Sequence, residues 1–207
     1  MAVAHDGEAV LSGDLGVADP QNLGNKTTAG TNRLGIVDLR FNSGSFPTEP
    51  GGGVTWGGVS MTEIGTGASI ASAGGVRSFR LINPPTASSA IVVDFTVGAV
   101  LGYVVTSYNG VDQTTPIDLG SIQTATGTST APSVTVSSAT GNMVHSIATA
   151  ADIFTATGSG QTQEAEITDG GSYVARVSRE AGAASVVMNY TINSAVNWAT
   201  QAFEINA

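Results

Sequence analysis

The stretch VRSFRLINPPTASSAIVVDFTVGAVLGYVVTSYNG (residues 76–110) determines the fold class. It contains three short runs rich in β-branched residues, and each run is bounded by residues that favour turns. The first run stops at Asn83-Pro84-Pro85, because proline has a fixed φ and no N–H to extend a β-ladder. The third run ends at Asn109-Gly110, where both residues tolerate positive φ. The pattern predicts strands at residues 76–82, 90–97 and 100–108.

Similar runs occur on both sides of this stretch. Upstream, residues 34–41 alternate, with Leu34, Ile36, Asp38 and Arg40 on one strand face. Further strands are predicted at 118–124, 132–136, 143–148, 161–167, 173–179, 184–192 and 198–205. No apolar stripe with a 3.6-residue period predicts a helix. About a dozen short strands at this spacing indicate an all-β protein with an antiparallel sandwich of the jelly-roll or concanavalin-like type.

The chain divides into two unequal parts. Residues 1–33 contain Asp6, Glu8, Asp14 and Asp19 and little hydrophobic pattern. This composition predicts an extended acidic arm that cannot order itself without a partner surface. Residues 34–207 show no further boundary and predict a single β-sandwich domain.

Charge restricts the partners of this protein. Its 207 residues include 7 Lys and Arg against 16 Asp and Glu, which gives a net charge of −9, and Lys26 is the single lysine. The chain offers no basic face for the phosphates of nucleic acid or an anionic membrane. It has no cysteine, which excludes disulfides and thiolate metal sites. The first residues lack the features of a secretory signal and no apolar run could span a bilayer, so synthesis in the cytosol is expected.

One stretch carries no ionisable carboxylate, lysine or arginine at all, from Leu119 through Ala151. Two interpretations remain open. The strands here are either buried on both faces or pressed against another subunit, or they present an exposed face rich in serine and threonine.

The residues that perform chemistry are sparse. His145 lies within a predicted strand, and no nucleophile-elbow motif accompanies it, which favours a structural role. Glu164 and Glu166 lie on one face of a predicted strand, the arrangement a glycosidase needs, although such pairs are usually only solvated. Asp112 is a weak candidate for a hard cation. We therefore expect no enzyme, no cofactor and no metal site.

Two tryptophans are candidates for stacking on a sugar. Trp56 lies beside Gly57-Gly58 in an apparent tight hairpin, which favours exposure of its ring. Trp198 lies in the last predicted strand with Phe203 and is expected in the core.

Seven segments carry a resemblance to known proteins. They are TNRL at 31–34, VTWGGVSMT at 54–62, LINPPT at 81–86, YNGVDQTTP at 108–116, ATGTS at 125–129, GAASVVMNY at 182–190 and NWA at 197–199. In this order, across residues 31–205, they resemble a β-sandwich module of phage and bacterial structural or surface proteins. The module occurs in capsid decoration (cement) and tail-associated proteins of tailed phages.

The resemblance implies a virion structural protein that decorates the outer capsid surface and stabilises the shell. It would be made in the host cytoplasm and would bind the major capsid protein and copies of itself, as a homo-oligomer such as a trimer. The implied contact residues lie in the arm: Val3, His5, Val10, Leu11, Leu15, Val17 and Leu23. One alternative is a tail-associated or cell-surface carbohydrate-binding (lectin-like) module that uses Trp56. Another is a glycoside hydrolase or lyase that uses Glu164 and Glu166.

Overall fold

Short runs of valine, isoleucine and threonine form strands along most of the chain. The computed structural model describes residues 2–14, 20–41, 53–95, 100–168 and 174–207. These ranges contain eighteen strands and one three-residue 3-10 helix, Leu119–Ser121, which Asp118 caps by accepting a hydrogen bond from Gly120 N. The predicted all-β fold is confirmed.

The first half of the chain forms two antiparallel sheets. Its strands are β1 (Ala4–His5), β2 (Leu11–Asp14), β3 (Gln21–Lys26), β4 (Leu34–Phe41), β5 (Gly53–Trp56), β6 (Val59–Ser60), β7 (Thr62–Ile70), β8 (Gly74–Ile82), β9 (Ser89–Asp94) and β10 (Val100–Asn109). Inner sheet 1 has the order β1-β10-β4-β8-β7, and β2 also pairs with β10. Outer sheet 1 has the order β3-β9-β5-β6.

The second half repeats this arrangement. Its strands are β11 (Gln123–Ser129), β12 (Ser133–Val136), β13 (Met143–Ala150), β14 (Phe154–Thr157), β15 (Thr162–Thr168), β16 (Val174–Ala181), β17 (Val186–Ile192) and β18 (Val196–Ile205). Inner sheet 2 has the order β11-β18-β13-β16-β15, and outer sheet 2 has the order β12-β17-β14. Strands β2, β3, β4, β5, β7, β8, β9 and β10 thus correspond in order and pairing to β11 through β18.

The four sheets stack as layers. In the first half, Val37, Leu39 and Phe41 of β4 pack against Trp56 and other residues of outer sheet 1. In the second half, residues of β13 and β18 pack against outer sheet 2. The two inner sheets then pack face to face through two clusters that contain residues of both halves. The predicted antiparallel sandwich architecture is confirmed, and the stack has more layers than the single sandwich expected over residues 34–207.

The inner sheets are arranged about an approximate two-fold axis. Strand β4 faces its counterpart β13, while β7 contacts β11 and β18 at one side and β2 contacts β15 at the other. Strand β7 corresponds to β15, and β2 corresponds to β11. The contacts of β7 with β11 and of β2 with β15 therefore exchange under a two-fold rotation that relates the halves. This is the geometry of a symmetric dimer interface, built here within one chain.

The first 33 residues do not form a separate arm where the structure describes them. Strands β1 and β2 pair with β10, and β3 pairs with β9. Val3 and Leu23 are buried in cores that the rest of the chain supplies. The expectation that this segment needs another protein to order it is therefore wrong for these residues. Sheet edges of the same chain provide the hydrogen bonds and the apolar surface that the segment lacks by itself.

Candidate functional site

A chain of hydrogen bonds joins the two inner sheets where β4 faces β13. Asp38 Oδ2 lies 2.8 Å from His145 Nε2, and His145 Nδ1 lies 2.8 Å from the hydroxyl oxygen of Tyr108. Ser78 donates its hydroxyl to Asp38 Oδ1 at 2.6 Å. All four residues have 0% exposure. The group connects β4, β8 and β10 of the first half with β13 of the second.

The hydrogen-bond directions follow from the donors that each group possesses. A carboxylate oxygen accepts, so Nε2 of His145 donates to Asp38, and in the tautomer with its proton on Nε2 the Nδ1 atom accepts from the Tyr108 hydroxyl. Burial raises the pKa of Tyr108 well above its ordinary value, which keeps the phenol protonated as a donor. The ring of Phe203 stacks on His145 with centroids 5.2 Å apart.

The order hydroxyl, imidazole, carboxylate is the same as in a catalytic triad, but here no member of the series is accessible to solvent. A catalytic triad needs a nucleophile that a substrate can reach. Here every member is sealed between two sheets, so the arrangement clamps the halves together. His145 has the structural position that the sequence favoured, whereas its partners Asp38 and Tyr108 carried no sequence signal.

The two carboxylates proposed for glycoside hydrolysis are each bound by an arginine. Arg179 donates to Glu164, and Arg176 donates to Glu166 through Nε at 2.7 Å and also through its second nitrogen. Arg176 also lies over the ring of Phe154. These ion pairs hold both carboxylates against β16, so the pair does not present a free acid and a free base to solvent.

Trp56 does not provide a sugar-stacking platform. Its ring has 0% exposure and lies against the backbone of Gly35, where an added Cβ would approach within 2.4 Å. The predicted hairpin is present, since Thr55 pairs with Ser60 and both turn glycines have positive φ. The expected exposure is wrong because β5 is in the middle of outer sheet 1 and directs Trp56 toward inner sheet 1. Trp198 is in the core as expected.

The residues proposed as arm contacts have different positions. Val3 and Leu23 are buried within this chain, whereas His5, Val10 and Leu11 are partly exposed. His5 contacts Tyr108 edge to face, and its Nε2 lies 3.7 Å from Glu164. Leu15 and Val17 lie outside the described residues. Two of the described arm residues are therefore already used in packing within this chain, and the other three keep only part of their surface for a partner.

Both interpretations of the stretch without charges apply, each to different strands. Strand β13 is buried on both faces, which explains why it lacks ions. Strands β11 and β12 instead expose serine and threonine. With β17, strand β12 presents the outward face of outer sheet 2, whose exposed side chains are Ser133, Thr135, Val187, Asn189 and Thr191. We call these five residues the uncharged face.

A shallow cleft of about 480 Å³ lies at the end of the stack, beside the connection between the halves. The residues that line it are Arg80, Thr114, Thr115, Pro116, Ile117, Asp118, Leu119 and Asn206. Asp112, the candidate for cation binding, accepts hydrogen bonds from the backbone N–H of Thr114 and Thr115, and these bonds lower its pKa. Among the described residues, no group of three potential ligands could hold a metal ion.

Comparison with models of known protein families, with curated proteins and with solved structures found no match. The resemblance to phage structural proteins is thus supported only as far as the all-β sandwich-type fold. In the part of the chain that the structure describes, no helix has the length and apolar character needed to cross a membrane.

The buried chain of hydrogen bonds predicts a large effect of Asp38→Asn. Asparagine keeps one acceptor oxygen but puts an amide N–H where Asp38 accepts a second hydrogen bond, from Ser78 or from His145. Because hydrogen bonds to a charged group contribute about 1.5–3 kcal/mol, we expect the free energy of unfolding, measured by urea titration, to fall by about 2 kcal/mol. The control is Glu63→Gln, which weakens the pair between Arg77 and the Glu63 carboxylate, and because this carboxylate is 27% exposed to water the loss should be clearly smaller than that of Asp38→Asn. Equal losses in the two variants would contradict the assigned importance of Asp38.

The buried phenols predict a loss of stability in alkali. Burial raises the pKa of Tyr190, as it does that of Tyr108. Above the ordinary value of about 10 the unfolded chain releases these protons while the folded chain retains them, so stability falls as pH rises toward the folded pKa. Replacing Tyr190 by Phe should reduce this slope by up to about 1.4 kcal/mol per pH unit, in urea titrations from pH 8.5 to 11.5. An unchanged slope would refute the assignment.

Proposed function

We propose that this protein is a virion structural protein that decorates the outer surface of a capsid and stabilises the shell. The observation that carries the proposal is the uncharged face of outer sheet 2. The cores of protein–protein interfaces are depleted in charged residues. The uncharged face, with hydroxyl and amide groups around Val187, which is itself 45% exposed, shares this lack of charge. In this proposal the uncharged face contacts the major capsid protein.

The packing and internal charge pairing of this chain fit a protein that stabilises a shell by binding alone, without catalysis. Several buried charged side chains are paired within the chain, as in Asp38 with His145 and Arg176 with Glu166. Four packed β layers make a stiff body that loses little freedom when it binds. Bound across joints between capsid subunits, such a body would raise the free energy of opening the shell, because it binds the closed state alone.

The charge distribution supports an outward position. The net charge is −9, and the single lysine, Lys26, is buried with its Nζ donating to the carbonyl of Ala9. Such a surface has little attraction for packaged nucleic acid. Symmetric assembly, for example as a trimer, would match copies of the chain to a symmetric lattice. The uncharged face replaces the N-terminal segment as the main proposed contact, since Val3 and Leu23 are already buried.

The carbohydrate-binding alternative is weakened because its proposed stacking residue, Trp56, is buried. The hydrolase alternative is weakened because Glu164 and Glu166 are held by arginines.

Quantitative mass spectrometry of purified particles from the source of this protein tests the proposal. We expect a copy number comparable to that of the major shell subunit. A number that matches tail components would place the chain in the tail instead, and its absence would refute the virion role.

A second experiment tests the uncharged face itself. We expect Val187→Lys to abolish incorporation into particles, since a charge would be buried at the interface. The control is Ser88→Lys, at an exposed position in the loop before β9, which should be incorporated normally. Both variants should show the unfolding midpoint of the original protein. Normal incorporation of Val187→Lys would show that this face is not the contact.

A further inference from the structure

Arg80 differs from the other five arginines of the chain. Each of those five donates to an acceptor within the protein: Arg33 to backbone carbonyls, Arg40 to Thr149, Arg77 to Glu63, Arg176 to Glu166 and Arg179 to Glu164. Arg80 is partly buried at the end of β8, and no described residue accepts a hydrogen bond from its guanidinium. Its guanidinium nitrogens are not closed off from solvent, so they stay open to the cleft, and an arginine whose donors face a cleft without a protein acceptor is a candidate for binding an anion.

The cleft that Arg80 lines contains the other groups that a small polar ligand needs. Asp118 accepts from Gly120 N through Oδ1, which leaves Oδ2 to accept from a hydroxyl of a ligand. Pro116 and Leu119 add apolar surface, and Leu119 is 65% exposed at the rim. The volume of about 480 Å³ is within the range of small-molecule sites and accommodates a sugar ring.

The cleft is held in shape by contacts between the connecting segment and the C-terminal strand. Asn206 donates its side-chain amide to the carbonyl of Thr115 at 2.7 Å and its backbone N–H to the carbonyl of Pro116 at 3.0 Å. Ile117 forms a β-bridge with Ile205. A ligand would therefore pay little to order these walls, which is the condition for useful affinity at a small site.

We propose that this cleft binds a hexuronate unit, with the ligand carboxylate on Arg80 and its ring hydroxyls on Asp118. Arginine binds a carboxylate through two parallel N–H donors, which gives this contact both strength and direction. A neutral sugar would give the guanidinium no anionic partner, whereas a simple carboxylate would make no contact with the exposed Oδ2 of Asp118. Burial alone lowers the pKa of Arg80, which agrees with an environment that contains no compensating carboxylate near the guanidinium.

Titration of the isotopically labelled full-length chain, followed by ¹H–¹⁵N NMR, tests the proposal. Galacturonate should shift the backbone amides of Thr115, Leu119 and Asn206. Galactose and acetate should shift them far less at the same concentration. Equal effects of galacturonate and galactose would overturn the carboxylate contact, and equal effects of galacturonate and acetate would overturn the sugar. No shift with any of the three would overturn the site.

Substitution of Arg80 locates the contact. We expect Arg80→Met, which removes the charge and keeps the length, to weaken galacturonate binding at least about tenfold. The control, Arg33→Met, alters an arginine outside the cleft and should bind as the original chain does. If Arg80→Met does not fold, Leu119→Ala serves instead and should weaken binding several-fold. Unchanged affinity in the folded variant tested would overturn the assignment.

Oligogalacturonate distinguishes the source of the ligand. Tighter binding of the oligomer than of the monomer, per galacturonate residue, would assign the site to an acidic polysaccharide. Tighter binding of the monomer would assign it to the free sugar acid. The proposal does not depend on the role in a capsid, so failure of either one leaves the other standing.

Discussion

The contact between Asp38 and His145 is the interaction on which the rest of this structure depends. It lies where β4 and β13, the central strands of the two inner sheets, face each other. A buried carboxylate and imidazole tolerate only a narrow range of positions, because any misplacement leaves a polar atom unpaired. The pair therefore fixes the register of one half of the chain on the other. The apolar residues around it, such as Ile36 and Phe203, are buried in one cluster and add stability without the directional requirement of a hydrogen bond.

The two halves of the chain share one arrangement of strands. Inner sheet 1 has six strands and inner sheet 2 has five, and apart from β1 and β6 the strands of the two halves follow the same order. In each, an arginine of the fourth inner strand pairs with a glutamate of the neighbouring edge strand and lies over an aromatic ring: Arg77 with Glu63 and Phe79, and Arg176 with Glu166 and Phe154. The repetition gives the interior of the stack an approximate two-fold symmetry. It also puts one outer sheet on each side of the two inner sheets.

The sequence predicted the positions of the strands better than it predicted which strands and sheets lie next to one another. Residues 34–41 form the predicted strand to the residue, because its ends are marked and its interior is β-branched. The number of layers was not predictable, because both faces of β4 and of β13 are buried and no local pattern in the sequence shows that a second sheet covers each of them. The predicted exposure of Trp56 was wrong because the adjacent Gly57-Gly58 turn indicates only the local hairpin. It does not indicate which sheet covers the ring. The partners of Asp38 and Glu164, and the place of Arg80 in a cleft, depend on contacts between separate parts of the chain, which no local pattern encodes.

The chain carries one tryptophan in each half, and this allows a direct test of the claim that the halves are one unit. Trp198→Phe leaves Trp56 as the reporter of the first half, and Trp56→Phe leaves Trp198 as the reporter of the second. Urea unfolding of each variant is followed by fluorescence, which reports one half, and by circular dichroism, which reports the whole chain. If the buried contact between the inner sheets couples the halves, the two signals share one midpoint in each variant. Separate midpoints for fluorescence and circular dichroism would show that the halves unfold independently and would contradict the account.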